Sequence, residues 1–342
     1  PAEGDERIRR AKAARRGACV VRDRVRRWIW LAIAGGIGAA AYVLVGDVHD
    51  VGDRLGHFGW SAFAAALGLA LANYAVRFVR WQLYLRRQDV RVPLASSVLA
   101  FGAGLSLSIT PGKVGELVKS FLLREMHGVP ARRTAPIVIA ERVTDLIALI
   151  VLAVIGVAVY GVQLALVVAS ATLVALGLVF LAWPRPTRAL IDLVTRPRRL
   201  RRLRDPLQEL YRGVAALCRP RLLVTATALA VPAWAAECIG FAAIVNAFPG
   251  AHVELGLAIV IYAATTIAGA LSFLPGGLGV TEGGMTLLLV QSAAALGRAT
   301  ALDATLLTRL ATLWFAVALG LVCLALARRR IAKLALGRAP SP

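Results

Sequence analysis

The sequence is poor in acidic residues, in cysteine and in recognisable catalytic motifs. It has 19 Asp and Glu residues against 40 Lys and Arg residues in a chain of 342, and only four cysteines. None of the cysteines lies in a Cys-x-x-Cys pair, which argues against a zinc site or a disulfide framework and predicts that they are small packing residues. The sequence contains no nucleotide-binding loop, hydrolase elbow or zinc-protease motif. It therefore predicts neither a catalytic soluble domain nor a cofactor.

Histidine is equally scarce, with four residues spread along the chain. Two of them, His49 and His57, share a glycine-containing segment with Asp47, Asp50 and Asp53. Imidazole and carboxylate groups both bind metal ions, so a metal site is conceivable there. The acidic, glycine-containing composition favours a solvated loop instead.

Apolar residues make up 58% of the chain, and its mean hydropathy is +0.71. Soluble domains contain roughly 45–50% apolar residues. The excess lies in blocks long enough to cross a bilayer, which takes about 20 residues in a helix. A β-barrel would instead show short segments of alternating hydropathy. The composition therefore predicts an all-α polytopic membrane protein.

The positive charge, a formal net +21, is concentrated in three segments that adjoin apolar blocks. These segments are Arg7–Arg27, Arg185–Arg221 and Arg328–Arg330. Basic residues beside membrane spans mark the cytoplasmic side, where they also attract anionic lipids. The distribution thus predicts a multi-pass protein of the cell membrane with both termini in the cytoplasm. Nucleic-acid binding is disfavoured, because clustered charge is its only support.

The apolar blocks predict six full spans and two re-entrant hairpins. The full spans are about Trp28–Val45, Trp60–Leu85, Ala135–Tyr160, Val162–Trp183, Leu222–Phe248 and Ala304–Ala327. One hairpin, Leu94–Glu125, enters from the cytoplasm, and the other, Leu255–Leu296, enters from outside; each could instead be two thin spans. Arg77, Arg80 and Trp81 close the second span as predicted interface anchors.

This topology divides the chain into three regions: a basic cytoplasmic arm, a transmembrane region and a cytoplasmic tail. Their ranges are 1–27, 28–327 and 328–342, and the transmembrane region contains repeat one (60–160), a basic connector (184–221) and repeat two (222–327). An interfacial amphipathic helix is predicted in the connector between Pro206 and Arg219. The two repeats come out in opposite orientations, as in transporters that work by alternating access.

Each predicted hairpin contains a Pro-Gly interruption, and the two interruptions resemble each other. One is Ser108-Ile-Thr-Pro111-Gly112-Lys113-Val-Gly115-Glu116, and the other is Ser272-Phe-Leu-Pro275-Gly276-Gly277-Leu-Gly279, followed by Glu282. Equivalent prolines and glycines lie 164 residues apart. Paired interruptions of apolar segments indicate a transporter built from repeats. Unwound backbone at membrane depth must be buried in protein or line a cavity.

The interruptions also carry groups suited to an anionic ligand. Proline fits the first turn of a helix, glycine permits close approach, and free N–H groups at a helix start bind anions. Lys113 stands at the first of these starts. Glu116 and Glu282 stand in first turns, where the helix dipole favours a carboxylate without any ligand. A role for them in gating or in contact with a headgroup amine is an equally open alternative.

The remaining candidates are charges inside predicted spans, which are costly there and mark functional sites. Glu141, Arg142 and Asp145 form either a self-neutralising cluster or a partly compensated cation that faces a polar cavity. Arg309 needs a carboxylate from another helix, Glu282 or Glu237, or else an anionic ligand.

Three motifs resemble the family named for the transmembrane region of lysylphosphatidylglycerol synthase, also called the flippase-like domain. They are Pro111-Gly112-x-x-Gly115-Glu116, Glu141-Arg142-x-x-Asp145 and Leu274-Pro275-Gly276-Gly277-Leu278-Gly279-x-x-Glu282-Gly283. The resemblance covers roughly Trp28–Ala327. For two-domain members it implies that the membrane part moves an aminoacylated phospholipid between leaflets and that a separate soluble domain makes this lipid. Nothing in this chain resembles that domain, so aminoacyl transfer is not implied.

The expected function is that of a flippase-like transporter, and not an enzyme, which moves an anionic or aminoacylated phospholipid or a lipid-linked intermediate. The candidate substrate-binding residues are Pro111, Gly112, Lys113, Gly115, Glu116, Glu141, Arg142, Asp145, Pro275, Gly276, Gly277, Gly279, Glu282 and Arg309. The alternatives are a membrane subunit of an enzyme that modifies lipids or lipid-linked sugars, and a scaffold for a synthase. The absence of catalytic motifs favours transport over catalysis, and the inverted repeat favours transport over a scaffold. A separate lipid synthase or glycosyltransferase is an expected partner.

Overall fold

The computed structural model describes residues 48–160, 172, 184–197, 200–292 and 296–336. These residues form α-helices joined by short turns and contain no β-strand. The chain divides into two compact units, Pro1–Asp53 and Arg54–Pro342. Only residues 48–53 of the first unit are described, and the account below concerns the second. The basic arm, the predicted span Trp28–Val45 and, apart from Thr172, the predicted span Val162–Trp183 lie outside the described residues.

The described residues contain twelve α-helices. Their bounds are α1 Val48–Gly56, α2 Trp60–Arg87, α3 Leu94–Leu105, α4 Val118–His127, α5 Ala131–Tyr160, α6 Pro184–Val194, α7 Arg204–Leu217, α8 Pro220–Asn246, α9 Leu255–Leu271, α10 Val280–Ser292, α11 Arg298–Arg309 and α12 Phe315–Leu336. Three 3-10 turns occur at Pro111–Leu117, Arg201–Leu203 and Pro275–Gly277, and a π-turn at Leu310–Trp314 joins α11 to α12.

Within the described part of the chain, three helical stretches are long and apolar enough to cross a membrane. They are α2, α8 and the continuous segment from Arg298 to Leu334. Two shorter apolar helices, α3 and α9, have 12 and 17 residues. Because a helix needs about 20 apolar residues to span the hydrocarbon core, α3 and α9 are short for a full crossing. These findings confirm an all-helical multi-pass membrane protein.

Four helix pairings build the body of the protein. Helix α2 packs along α8, α3 packs along α12, and α5 packs against both α8 and α9. A large apolar core lies among α5, α8 and α9 and includes the buried side chains of Leu149, Phe241 and Ile261. These pairings hold the interrupted segments between long helices.

The connector contains the helix expected there. Helix α7 spans Arg204–Leu217, close to the predicted range, and buries Tyr211, Val214 and Leu217 at a spacing of three residues. Asp192 of α6 accepts hydrogen bonds from Arg204 at 2.7 and 2.9 Å. These bonds hold the pKa of Asp192 below its ordinary value.

Two expectations from the sequence were wrong. The segment predicted as a loop around His49 forms helix α1, as the spacing of Val48, Val51 and Leu55 along one helical face would have indicated. In addition, Arg77, Arg80 and Trp81 are not exposed interface anchors, because their side chains are buried inside the protein.

The sequence left a metal site near His49 and His57 conceivable and predicted that the cysteines are packing residues. Among the described residues, no group of three His, Cys, Asp or Glu side chains is placed to hold a metal ion. Cys218, Cys238 and Cys323 are free thiols. Cys19 lies outside the described residues.

Helix α12 approaches the chain after α3 so closely that position 320 must be glycine. A Cβ atom there would lie 2.1 Å from the backbone nitrogen of Ser106, which cannot move aside as a side chain can. We expect Gly320→Ala to lower the free energy of unfolding by roughly 1–3 kcal/mol. Thermal unfolding of the purified protein in detergent would measure the effect.

Gly68→Ala is the matched control, because a Cβ atom at this position of α2 would meet nothing within 4 Å. Alanine favours a helix over glycine by up to about 1 kcal/mol, so this variant should be as stable as the parent or slightly more so. Equal melting temperatures for the two variants would contradict the close approach.

Candidate functional site

The two Pro-Gly interruptions contact each other. The 3-10 turns Pro111–Leu117 and Pro275–Gly277 pack against each other, and each has its proline at the start. A Cβ atom on Gly276 would lie 3.0 Å from Cγ1 of Ile109, in the other interruption. The sequence predicted a helix over about Lys113–Glu125 after the first break and a hairpin arm over Gly284–Leu296 after the second. The structure places a 3-10 turn before α4, which begins at Val118, so the first unwound segment is longer than expected. Helix α10 begins at Val280, earlier than expected, and Glu282 lies in its first turn, as predicted.

The same ion pair occurs in both halves of the chain. Glu116, after the first break, lies 3.3 Å from an Nη of Arg142. Glu282, after the second break, lies 2.6 Å from Nε of Arg309. In each case a glutamate after a break holds an arginine of the long helix that follows. Of the two carboxylates predicted as partners of Arg309, Glu282 is therefore the one that pairs with it.

Besides their ion pair, Arg309 and Glu282 each form a hydrogen bond with the backbone of the second break. Arg309 donates a hydrogen bond to the carbonyl oxygen of Gly276, at 2.5 Å. Glu282 accepts one from the N–H of Gly279, at 2.7 Å, which caps the start of α10. These contacts fix the arginine to the unwound backbone.

The first half has a larger buried network of charges. The ion pairs are Lys119–Glu116 at 3.0 Å, Lys119–Glu141 at 2.6 Å, Arg80–Asp145 at 2.7 Å and Arg142–Asp145 at 3.1 Å. Arg77 lies 3.8 Å from Glu116. The predicted contact between Arg142 and Asp145, three residues apart, is present. Glu141 and Asp145 bind different cations, Lys119 and Arg80 respectively.

A cavity of about 300 Å³ lies beside the two breaks. Its walls come from the breaks themselves and from α2, α3, α5, α8, α9, the α11–α12 segment and the start of α10. The charged residues that line it are Arg77, Lys113, Arg142, Asp145, Glu237 and Arg309. Four are cations and two are carboxylates, so the described walls carry an excess of positive charge. The volume is at the lower end for ligand pockets and suits a polar headgroup.

The candidate residues from the sequence fall into two groups. Those that line the cavity are Lys113, Arg142, Asp145, Gly276, Gly277 and Arg309. Those that do not are Pro111, Gly115, Glu116, Glu141, Pro275, Gly279 and Glu282. The surroundings of Gly112 lie outside what the structure describes. Glu116 and Glu282 hold the cavity arginines, and Glu141 holds Lys119. Gly115 donates its N–H to Oγ1 of Thr110, at 2.7 Å, and so shapes the first turn.

Sequence reasoning missed the aromatic residues of the cavity. Trp234 donates a hydrogen bond to Asp145 at 3.1 Å, and Nζ of Lys113 lies 5.6 Å from the centre of its ring. Tyr262 donates to Glu237 at 2.6 Å. Tyr74 donates to the carbonyl oxygen of Thr312 at 2.7 Å. An aromatic residue in an apolar helix has no sequence signal that separates a cavity wall from a packed core.

Arg80 and Lys119 were also missed as members of the buried network. The signal was available, because a charge within an apolar helix indicates a buried partner by the same argument that singled out Arg142. Their positions near predicted interfaces made an anchoring role equally consistent with the sequence.

The comparisons with known proteins identify one family. The family model described as the lysylphosphatidylglycerol synthase TM region matches residues 28–320. The match includes both breaks and both cavity arginines. A search of the curated proteins finds no matching relative.

Lys119 is predicted to be essential to the buried network, because it is the cation paired with Glu141 among the described residues. Lys119→Met should lower the free energy of unfolding by about 3–5 kcal/mol, since it leaves a buried carboxylate unpaired. The double variant with Glu141→Met should recover most of that loss. Melting temperatures in detergent would measure both effects.

Arg132→Met is the control, because it removes an exposed ion pair in which Arg132 lies 3.6 Å from Glu209. Exposed pairs contribute little, so its melting temperature should stay near that of the parent. If Lys119→Met behaved like Arg132→Met, the buried network would not support the fold.

Proposed function

Because the chain belongs to the lysylphosphatidylglycerol synthase transmembrane-region family and is thereby a membrane protein related to lipid handling, we propose that it is a flippase-like lipid transporter. Its substrate is an anionic or aminoacylated phospholipid, or a lipid-linked intermediate, which it moves between leaflets. The chain contributes transport and no catalytic step.

The observation that carries this proposal is the cavity between the two breaks, with one arginine from each half of the chain in its wall. Arg142 and Arg309 both line it, and each is oriented by a glutamate that follows a break. The planar guanidinium group binds phosphate through two parallel hydrogen bonds. A lipid phosphate is therefore the ligand that suits the site best.

The duplicated ion pair supports an inverted repeat. In the proposed topology, repeat one (60–160) and repeat two (222–327) each consist of a span, a re-entrant hairpin and a span, and they lie in opposite orientations. The short apolar helices α3 and α9 form the first arms of the hairpins. Six full spans then leave both termini in the cytoplasm, and alternating access follows from rocking of one repeat against the other.

The connector (184–221) is proposed to lie on the cytoplasmic surface of the cell membrane. Leu190, Leu193 and Val194 are exposed on one face of α6, between the basic residues Arg188 and Arg196. An amphipathic helix of this kind inserts its apolar face between lipid headgroups, and its arginines attract anionic lipids. A separate lipid synthase or glycosyltransferase would supply the transported lipid.

The decisive variant is Arg309→Lys, which keeps the charge and removes the planar fork. Loss of one charge-assisted hydrogen bond costs about 1.5–3 kcal/mol, so we expect transport to fall by roughly ten- to a hundredfold while the protein still folds. The measurement is the movement of fluorescent phosphatidylglycerol between leaflets of proteoliposomes. Parent protein that moves no lipid would favour the enzyme-subunit or scaffold alternative.

A double variant separates ligand binding from structural support. Arg309→Ala alone leaves Glu282 without its cation, so it confounds the two roles. Arg309→Ala combined with Glu282→Ala removes both partners, and expression should recover while transport stays low. Recovered transport in the double variant would argue that Arg309 only neutralises Glu282.

Orientation is tested by labelling cysteines introduced into a variant that lacks the native ones. A cysteine at His252 should react in intact cells with a thiol reagent that cannot cross the membrane. One at Arg202, in the basic connector, should not react until the cells are opened. Both residues are exposed, so access to the reagent depends on the side of the membrane. Labelling of position 202 in intact cells would overturn the inverted-repeat topology.

A further inference from the structure

Two of the six charges in the cavity wall form no ion pair within the described part of the chain. Arg142, Asp145 and Arg309 lie within 3.3 Å of an oppositely charged group, and Arg77 lies 3.8 Å from Glu116. Lys113 and Glu237 remain. Lys113 faces the ring of Trp234, whereas Glu237 is hydrogen-bonded by the neutral hydroxyl of Tyr262.

Glu237 interacts electrostatically or shares the cavity wall with titratable groups on the elements around it. These are Tyr74 and Arg77 on α2, Lys113 in the first break, Arg142 and Asp145 on α5, Tyr262 on α9, Arg309 on α11, and Cys238 beside it on α8. None of the cations in this set lies within 4 Å of the Glu237 carboxyl group, so none forms an ion pair with it. Its carboxyl group is thus close to several positive charges and bound by none.

The surroundings of Glu237 can accommodate either protonation state. The residue is 7% exposed and lines the cavity, so water that enters the cavity can exchange a proton with it. Its partner, the Tyr262 hydroxyl, can donate a hydrogen bond to a carboxylate or accept one from a carboxylic acid. An ionised carboxylate without a counter-ion is costly at membrane depth, and such residues form the proton relays of pumps and transporters.

An anionic ligand in the same cavity would change the balance between these states. A phosphate on Arg142 and Arg309 brings negative charge near Glu237 and offsets the cations that favour its ionised form. Ligand and proton therefore bind with positive coupling, and the coupling is reciprocal: each strengthens the binding of the other.

We propose that Glu237 is a proton-binding site through which an anionic lipid and one proton cross the membrane together. The proton comes from water on one side, rests on the Glu237 carboxyl group while the cavity holds the headgroup, and returns to water on the other side. No covalent bond of the lipid changes. This inference rests on the proposed transport function and identifies its driving force.

Proteoliposomes of phosphatidylcholine with a trace of fluorescent phosphatidylglycerol and a trapped pH indicator test the proposal. One proton per lipid predicts that a gradient of one pH unit enriches the labelled lipid up to about tenfold in the leaflet that faces the alkaline side. Proton entry should depend on the labelled lipid. Because an anionic lipid and a proton are together neutral, a membrane potential alone should produce no enrichment.

The Glu237→Gln variant keeps the hydrogen bond to Tyr262 and mimics the protonated acid. We expect it to exchange lipid between leaflets but to lose the enrichment driven by the pH gradient, with the lipid evenly distributed. Glu209→Gln, in an exposed position on α7, is the matched control and should behave like the parent. Liposomes without protein set the background.

The outcomes separate this inference from the function on which it rests. Parent protein that moves no lipid under any condition overturns the transport function and, with it, the proton coupling. Parent protein that moves lipid but ignores the pH gradient overturns the proton coupling alone. Enrichment by Glu237→Gln equal to that of the parent overturns the assignment of Glu237. The parent's lipid-dependent proton entry decides the matter even if the variant does not fold.

Discussion

The two Pro-Gly breaks and the charged residues around them depend on carboxylates that each bind more than one partner. Glu116 binds both Lys119 and Arg142, and Glu282 binds Arg309 while capping the N–H of Gly279. Unwound backbone and unpaired charge are both costly at membrane depth. The two glutamates reduce both costs, because each binds an arginine of a later helix to the segment that follows a break. The breaks and the intramembrane charges therefore stabilise one another.

The two halves of the chain repeat a pattern without being equivalent. Lys113 has a left-handed backbone conformation, with φ 54°, and the residue 164 positions later, Gly277, has φ 67°. Glycine adopts this conformation freely, whereas lysine pays about 1–2 kcal/mol for it. In return for this cost, the lysine side chain lines the cavity beside Trp234. The first half thus supplies an additional cation where the second half supplies only backbone.

Much of the site followed from the sequence, and the rest depends on contacts between distant segments. The paired breaks, the Arg142–Asp145 contact and the choice of Glu282 or Glu237 for Arg309 could be predicted, because each rests on spacing or on the cost of an intramembrane charge. The partner of Arg80 could not, since it is set by the packing of α2 beside Asp145 of α5. Nor could the sequence tell Tyr262 from a core aromatic residue.

The shape of the cavity suits the physical problem that a lipid transporter must solve. The barrier to moving a phospholipid between leaflets is the transfer of its charged headgroup out of water, whereas its chains already lie in an apolar medium. The cations of the cavity can replace water around a phosphate. Leu271, Phe273 and Leu274 also line the cavity and are exposed, so its rim is apolar. A headgroup held by the arginines would leave its chains against these side chains and the bilayer. Only the headgroup would then need a protein environment, so a cavity of about 300 Å³ would suffice for a much larger molecule.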